Sequence, residues 1–562
     1  MHWRGELCER RVDLGYLFAF ALASSAWCLT ASAQLGAAFD EPFYIKTGLA
    51  SWREGSNKPL MRSGVMTLPT DVQTLPLYLW ERHRGQVFDP VTELHTLLPV
   101  ARAMNLVFWW LLLVYTMRLG RTLGGVWGGR LAVALVACDP NLLGHAAFAT
   151  TDIAAVACLL VLVYHFWHGL GQSSTRRVFV PGLCYGLAIV AKASGMVFGL
   201  EAMAVLGLWH LGQQGALVAP VGTGPWRKFT HLWHATFHLR VDLACIAAIG
   251  FATAFIYTGS DWQPEPAMIA WAEELPPGVL RDVMVPVSQH LRIFTNAGEG
   301  LWYQVQHNAR GHGTFFLGEW YNRATPAYFP VALSMKVPLP VFALLLAAFC
   351  YCRRNLWSPL AAIAVLLFAL SPTCRVQIGV RFMFPVMVLG YIALASAIAK
   401  SWNSPQSRGV PRWAVAGLLL ALAATAGWVW PHGASYFNQL WGGPEAGARL
   451  LHDSNSDWGQ GLPELKAWAE AKGESRVAVW YYGMDPAANE PPFFRAHLSY
   501  LYHDGDLARI RWVCGNARCV AVSLGCLHGN DNATAQHRLA LEWVRGCTPI
   551  ARTTHFVIYR LR

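Results

Sequence analysis

The chain has 562 residues, 54% of them hydrophobic and 14% charged, with a formal net charge of +11. An ordinary soluble domain carries about a quarter charged residues, so this balance excludes a single soluble core. It also excludes a nucleic-acid partner read from charge alone, because the basic residues are spread between apolar runs rather than gathered on one soluble stretch.

A bilayer-spanning helix needs about 20 largely apolar residues, and about eleven runs of that kind follow one another. In chain order they are 14–33, 103–119, 126–140, 152–168, 178–192, 194–211, 242–258, 330–352, 357–371, 378–399 and 412–430. The first run begins after Arg4, Arg10 and Arg11, and Ala31 to Ala33 offers a cleavage site. Its apolar stretch is longer than a usual signal core, so it is read as a retained span.

Lys and Arg in short loops are held on the cytoplasmic side. With the N-terminus inside, the inner segments carry Arg118, Arg121 and Arg130, then Arg176 and Arg177, Arg227 and Lys228, Arg353 and Arg354, and Lys400, Arg408 and Arg412. The short outer loop 139–151 carries none. An odd number of spans then places everything after Trp430 outside, in a multi-pass protein of the inner (plasma) membrane. The expected division is a membrane domain over 1–430 and an outer, periplasmic soluble domain over 431–562.

Two outer loops, 34–99 and 259–327, are long enough to expect function in them. The first contains amphipathic stretches such as Phe43 to Trp52, suited to lie on the membrane surface. Beyond Pro431, short apolar runs predict strands over Val477 to Tyr482, Cys519 to Leu524 and Phe556 to Tyr559, with a helix at about Glu464 to Ala471. That is a compact α/β unit. Its Cys514, Cys519, Cys526 and Cys547 are expected to form two disulfides in an oxidising compartment, by any of three pairings.

A carboxylate near hydrocarbon is costly and marks function, which singles out Asp40 and Glu41 after the first run and Asp152 at the start of the fourth. Asp139 and His145 stand beside Asp152 in the short outer loop. The plainer alternative is that Asp40 and Asp152 cap the helices that follow them, at about 1 kcal/mol each. Arg102, Lys192, Lys336 and Arg381 fall near the outer ends of runs, where they either hold an anion or snorkel toward headgroups. Asp40, Glu41, Asp152 and His145 also offer ligands for a divalent metal ion, without a tight ligand motif. Asp453, Asn455, Asp457 and Glu464 match positions 1, 3, 5 and 12 of a calcium loop, but Trp458 and Pro463 break that pattern and turns and caps are expected instead. Asn532-Ala-Thr534 matches a glycosylation acceptor.

Several segments carry a family resemblance when taken in order. They are Asp40-Glu41, Asp139-Pro-Asn141 with His145, Thr151-Asp152, Gly186 to Lys192, Gly311-His312, Gly318-Glu319, Tyr328-Phe-Pro330 with Lys336, and Gly379-Val-Arg381. After the last run come Tyr436-Phe-Asn438, Gly442-Gly-Pro444 and Asp453 to Gln460. Over about 14–470 the chain resembles the GT-C superfamily of lipid-carrier-dependent glycosyltransferases, which includes protein O-mannosyltransferases and the aminoarabinose transferase that modifies lipid A. Many relatives have a His-Pro-Pro element in the first outer loop, where this chain reads Leu68 to Pro76 without it.

The resemblance implies an α-helical polytopic membrane protein of GT-C type with an α/β soluble domain after it. It implies an inverting glycosyltransferase that takes a sugar from a polyprenyl-phosphate carrier and passes it to a hydroxyl on a protein or glycolipid acceptor. Asp40 is then the base, with Glu41 and Asp152 as further catalytic candidates, and Arg381, Lys192, Arg102 and Lys336 are candidates for the leaving phosphate. The competing reading is a non-catalytic lipid-linked-sugar carrier or flippase, which needs ionisable groups at midplane and on the inner half as well.

Overall fold

The structure is a computed structural model and describes residues 2–219, 224–292, 296–403, 409–495, 508, 511, 514–515, 517–528 and 535–561. The Asn532 acceptor motif lies outside the described residues.

The apolar runs fold as helices because their backbone groups have no other partner away from water. Seven helices are long and apolar enough to cross a membrane: Arg11–Ser32, Leu94–Ala137, Asp152–Gly169, Ser194–Gln213, Phe237–Thr258, Leu339–Leu356 and Val380–Asn403. Pro359–Thr373 and Arg412–Trp428 are apolar but shorter. Each of the eleven runs lies in helical backbone, and seven counts only the single helices long enough to cross by themselves. The runs 103–119 and 126–140 belong to one helical stretch that reverses at Gly125, where φ is +67°. Gly120 there packs on Gly128 and Gly129, so closely that a Cβ on Gly120 would meet the Gly128 carbonyl oxygen at 2.7 Å. The run 178–192 gives the short helix Val180–Ala191, preceded by a π-helical turn at Thr175–Phe179.

One large apolar core joins these helices, with Trp109, Phe166, Tyr185, Phe329 and Phe384 buried in it. At one end of the bundle Asp13 of the first helix pairs with Arg121 and Arg130, three residues from segments read as lying on the same membrane side. At the opposite end the chain after Ser32 threads toward the C-terminal region, where Gly36 N donates to Gln460 O at 3.0 Å and Phe39 N to Trp458 O at 2.7 Å.

The long loops are mostly helical. The first holds helices Glu41–Glu54 and Thr67–Arg84, the second helices Pro266–Glu273, Val279–His290 and Ala297–Arg310. A two-stranded hairpin follows, β1 (Thr314–Phe316) and β2 (Glu319–Tyr321).

The C-terminal region is a mixed sheet of β3 (Val477–Trp480), β4 (Phe493–Arg495), β5 (Cys519–Ser523), β6 (Thr548–Arg552) and β7 (Phe556–Arg560), in the order β4-β3-β5-β7-β6. The three strands expected from short apolar runs are its centre. β4 and β6 were hidden from that pattern because β4 is only three residues long and β6 is mostly exposed. Alternation sorts the side chains: Val477, Val479, Ala521 and Ile558 pack on one face under helix Leu462–Lys472, while Ala478, Trp480, Val520 and Val522 pack on the other.

The cysteine expectation is overturned. No disulfide joins the four among the described residues, and Cys514, Cys519 and Cys526 are free thiols. The physical reason is that the sheet separates them: Cys519 points into one face, whereas Cys514, Cys526 and Cys547 lie in the core of the other. Buried thiols there serve as small apolar side chains, and burial pushes Cys514 up to about 12 and Cys519 to about 11.

Candidate functional site

Arg381 is the centre of the charged cluster. Its Nη1 lies 3.3 Å from Asp40 Oδ2 and 3.5 Å from Asp152 Oδ2. Lys192 Nζ donates to the other oxygen of Asp152 at 2.5 Å. Four candidates far apart in sequence therefore meet in one place, two carboxylates and two cations. Aromatic faces line the cations: the Arg381 guanidinium lies 4.3 Å from the Trp458 ring and Lys192 Nζ 4.6 Å from the Phe382 ring.

Backbone constraints put Arg381 there. Gly379 has φ +149°, and a Cβ on it would fall 2.0 Å from Ser454 Oγ. Ser454 Oγ itself donates to Ile378 O at 2.6 Å, and Val380 N donates to Asn455 Oδ1 at 2.9 Å. The segment before Arg381 is thus clamped to the 453–455 turn, whose own Asp453 holds φ +59°. Left-handed backbone at a non-glycine residue is strained and persists where the surroundings over-determine it. Asp453 Oδ2 accepts from Tyr482 OH at 2.9 Å.

Neither carboxylate is a cap. Asp40 precedes helix Glu41–Glu54 without a side-chain capping bond, and Asp152 lies inside its helix, whose cap position is Thr151. The Asp40 side chain is 26% exposed, so an incoming group can reach it. Burial pushes its carboxyl above the ordinary carboxylate range; Arg381 pulls the other way, and the negative charges of Asp453 and Asp152 add to the rise. Tyr44, one helical turn on, faces the same carboxylate.

Other candidates are engaged elsewhere. Glu41 and Arg102 form a buried bidentate pair, Nε to Oε1 at 2.8 Å and Nη2 to Oε2 at 2.7 Å. Glu41 also accepts from Ala38 N and Ala149 N, and Arg102 donates to the carbonyls of Ser32, Leu35 and Gly36. With every face occupied, this pair holds the 33–40 loop against helix Leu94–Ala137 and is not arranged as base or phosphate ligand. Breaking a buried pair of this kind costs about 3–5 kcal/mol. Lys336 is wholly buried and donates to Ala434 O at 2.8 Å and Asn455 O at 2.6 Å, which ties the bundle to the C-terminal region. Asp139 caps helix Pro140–Ala146 through Asn141 N and Leu142 N and accepts from Tyr391 OH at 2.7 Å.

His145 is buried, with Nδ1 on Asn141 O at 3.0 Å and Nε2 without a hydrogen-bond partner. Burial lowers it to about 4, keeping it neutral. The four residues considered for a metal do not converge, because Glu41 faces Arg102 and the Arg381 guanidinium contacts both Asp40 and Asp152. Nor do the calcium-like positions: Asp457 accepts from Gly459 N and Gly525 N, while Glu464 accepts from Thr554.

A small cleft opens beside the cluster, lined by Thr314, Phe315, Gln377, Ile378, Asp453 and Tyr482. Asp453 belongs both to this cleft and to the charge environment of Asp40 and Arg381. Sequence reasoning missed Asp453 and Trp458 as parts of the site. Their only signal was the motif Asp453 to Gln460, which gave no indication of which membrane helix it would cover.

Fold and cluster together define a helical polytopic membrane protein whose carboxylates and cations gather where the bundle meets a C-terminal mixed sheet. No protein-family model matches the chain, and no curated protein sequence does. Among solved structures it is similar to ArnT from Cupriavidus metallidurans bound to undecaprenyl phosphate, at 12% identity and a TM-score of 0.45, over 97% of this chain and 98% of that one. It is also similar to an Archaeoglobus fulgidus oligosaccharyltransferase tethered with an acceptor peptide, at 10% identity and a TM-score of 0.46, over 94% of this chain and 72% of that one. These likenesses assign no substrate.

Proposed function

We propose that the chain is an inverting glycosyltransferase of GT-C type, moving a sugar from a polyprenyl-phosphate carrier to an acceptor hydroxyl at the outer membrane face. The observation that carries this reading is the buried Arg381, which contacts both Asp40 and Asp152, keeps its Nε without a partner, and stands beside an open cleft. The motif order that resembles the GT-C superfamily supports it, and the residues of that resemblance that converge are those the chemistry needs.

In the proposed reaction the acceptor oxygen attacks the anomeric carbon from the face opposite the leaving group. The bond from that carbon to the phosphate oxygen breaks as the new carbon–oxygen bond forms, and the hydroxyl proton passes to the Asp40 carboxylate. A carboxylate lifted in basicity by burial is a better acceptor for that proton than an ordinary one. The lipid phosphate leaves with the bonding electrons and gains negative charge, which Arg381 and Lys192 stabilise. Fixed cations in a water-poor site do this more strongly than the same charges in water. Asp152 holds the two cations in place.

At the other end of the bundle Asp13, Arg121 and Arg130 are paired with one another. The test is to incubate purified protein in detergent with a panel of polyprenyl-phosphate sugars. One member of the panel is expected to release polyprenyl phosphate in the presence of acceptor. Binding of the panel without turnover of any member would favour the carrier reading.

A further inference from the structure

We infer that His432, Glu464 and His555 form a divalent metal site, of zinc-like chemistry, that fastens the end of the last apolar helix to the C-terminal sheet. It lies apart from the Arg381 cluster and does not depend on the proposed transfer reaction. His432 follows helix Arg412–Trp428, Glu464 opens helix Leu462–Lys472, and His555 stands in the turn between β6 and β7.

The three ligand atoms lie within 4.8 Å of one another. His432 Nε2 is 3.8 Å and His555 Nδ1 3.9 Å from Glu464 Oε2. These separations are too long for hydrogen bonds. A cation between them requires the atoms to draw in by a few tenths of an ångström to reach the ~2.0–2.2 Å of zinc–nitrogen and zinc–oxygen bonds. Two imidazoles and one carboxylate are a set that zinc accepts, with a fourth position for water.

An orphaned atom points to the ligand. His555 is wholly buried, and its Nδ1 has no hydrogen-bond partner. A buried nitrogen left unpaired costs about 1–3 kcal/mol, a cost that a bound cation removes. The surroundings also orient the ligands as metal sites require. Glu464 accepts from Thr554 N and Thr554 Oγ1, each at 3.1 Å. His555 Nε2 lies 3.0 Å from Ser435 Oγ and 2.9 Å from Gln460 Nε2. Gln460 Nε2, whose amide oxygen accepts from Trp458 N, donates to His555 Nε2, so the ring proton of the metal-free protein sits on Nδ1 and a cation bound there takes its place.

Elemental analysis of protein purified without chelator, followed by chelation and addition of Zn²⁺ alone, tests the site. Wild type is expected to hold one equivalent of metal and to gain on the order of 2–4 °C in thermal midpoint when Zn²⁺ is restored. His432→Ala is the main variant, because His432 is partly exposed and its imidazole makes no hydrogen bond. It should fold, with a midpoint close to that of the chelated wild type, and should neither retain the metal nor respond to Zn²⁺. Glu464→Gln should weaken Zn²⁺ binding at least 10-fold. Absence of stoichiometric binding in wild type, or full retention by His432→Ala and Glu464→Gln, would overturn the assignment and leave a metal-free His–Glu cluster.

Discussion

Asp40→Asn lowers the rate of sugar transfer by on the order of 100-fold or more at equal amounts of folded protein. The substitution keeps size and shape while removing a usable proton acceptor. The geometry makes this a sharper experiment than the sequence allowed, because Asp40 forms no side-chain cap that Asn would have to replace. Folding should therefore be little changed, and a large fall in turnover reports chemistry. The pH profile adds a second reading. Asp40 must be ionised to act as base, and burial raises its carboxyl above the ordinary value. Turnover in wild type should accordingly rise with pH through a value above the usual ~3.9 of an aspartate, and that acid limb should disappear in Asp40→Asn. A variant that keeps near-wild-type turnover would move the search for a base to Asp152 or Asp453.

Arg381→Ala has the other large effect, a loss of about 10²–10³ in turnover, as for removal of a preorganised charge that stabilises a leaving or developing anion. Asp152 keeps Lys192 as a partner in this variant, whereas Asp40 loses its only ion pair among the described residues. The consequence for Asp40 is a further rise of its carboxyl, because Arg381 is the group that pulls it down. Arg381→Lys separates the contributions. It restores a positive charge but as a compact ammonium without the planar fork, so it cannot reproduce contacts to two carboxylates and a phosphate together. Partial recovery of transfer in Arg381→Lys, with none in Arg381→Ala, is the expected pattern, measured with a radiolabelled polyprenyl-phosphate sugar. Equal turnover in all three proteins would remove Arg381 from the mechanism.

The membrane helices were legible because a long apolar run has few other folds open to it, and the central strands were legible because they are short, valine-rich apolar runs buried on both faces. What stayed hidden were the partners of each charge. Asp40 and Glu41 are adjacent carboxylates, yet one meets Arg381 and the other meets Arg102 on a different helix. A helix turns about 100° per residue, so neighbours point in different directions, and no local pattern says which cation waits in each. Lys336 illustrates the same limit, since it sits at a helix end like Lys192 but spends its donors on backbone carbonyls. Lys192 differs in having a carboxylate on the neighbouring helix. The cysteine expectation failed because spacing along the chain carries no information about which face of a sheet a thiol enters.

The central claim is that Asp40 and Arg381 form the reacting centre of an inverting transferase. The most direct test follows the anomeric configuration of the product by NMR, using wild type and Asp40→Asn with the polyprenyl-phosphate sugar that wild type turns over. Wild type should yield product of configuration opposite to the donor, and Asp40→Asn should yield almost none. Retained configuration, or inverted product formed at an undiminished rate by Asp40→Asn, would contradict the account.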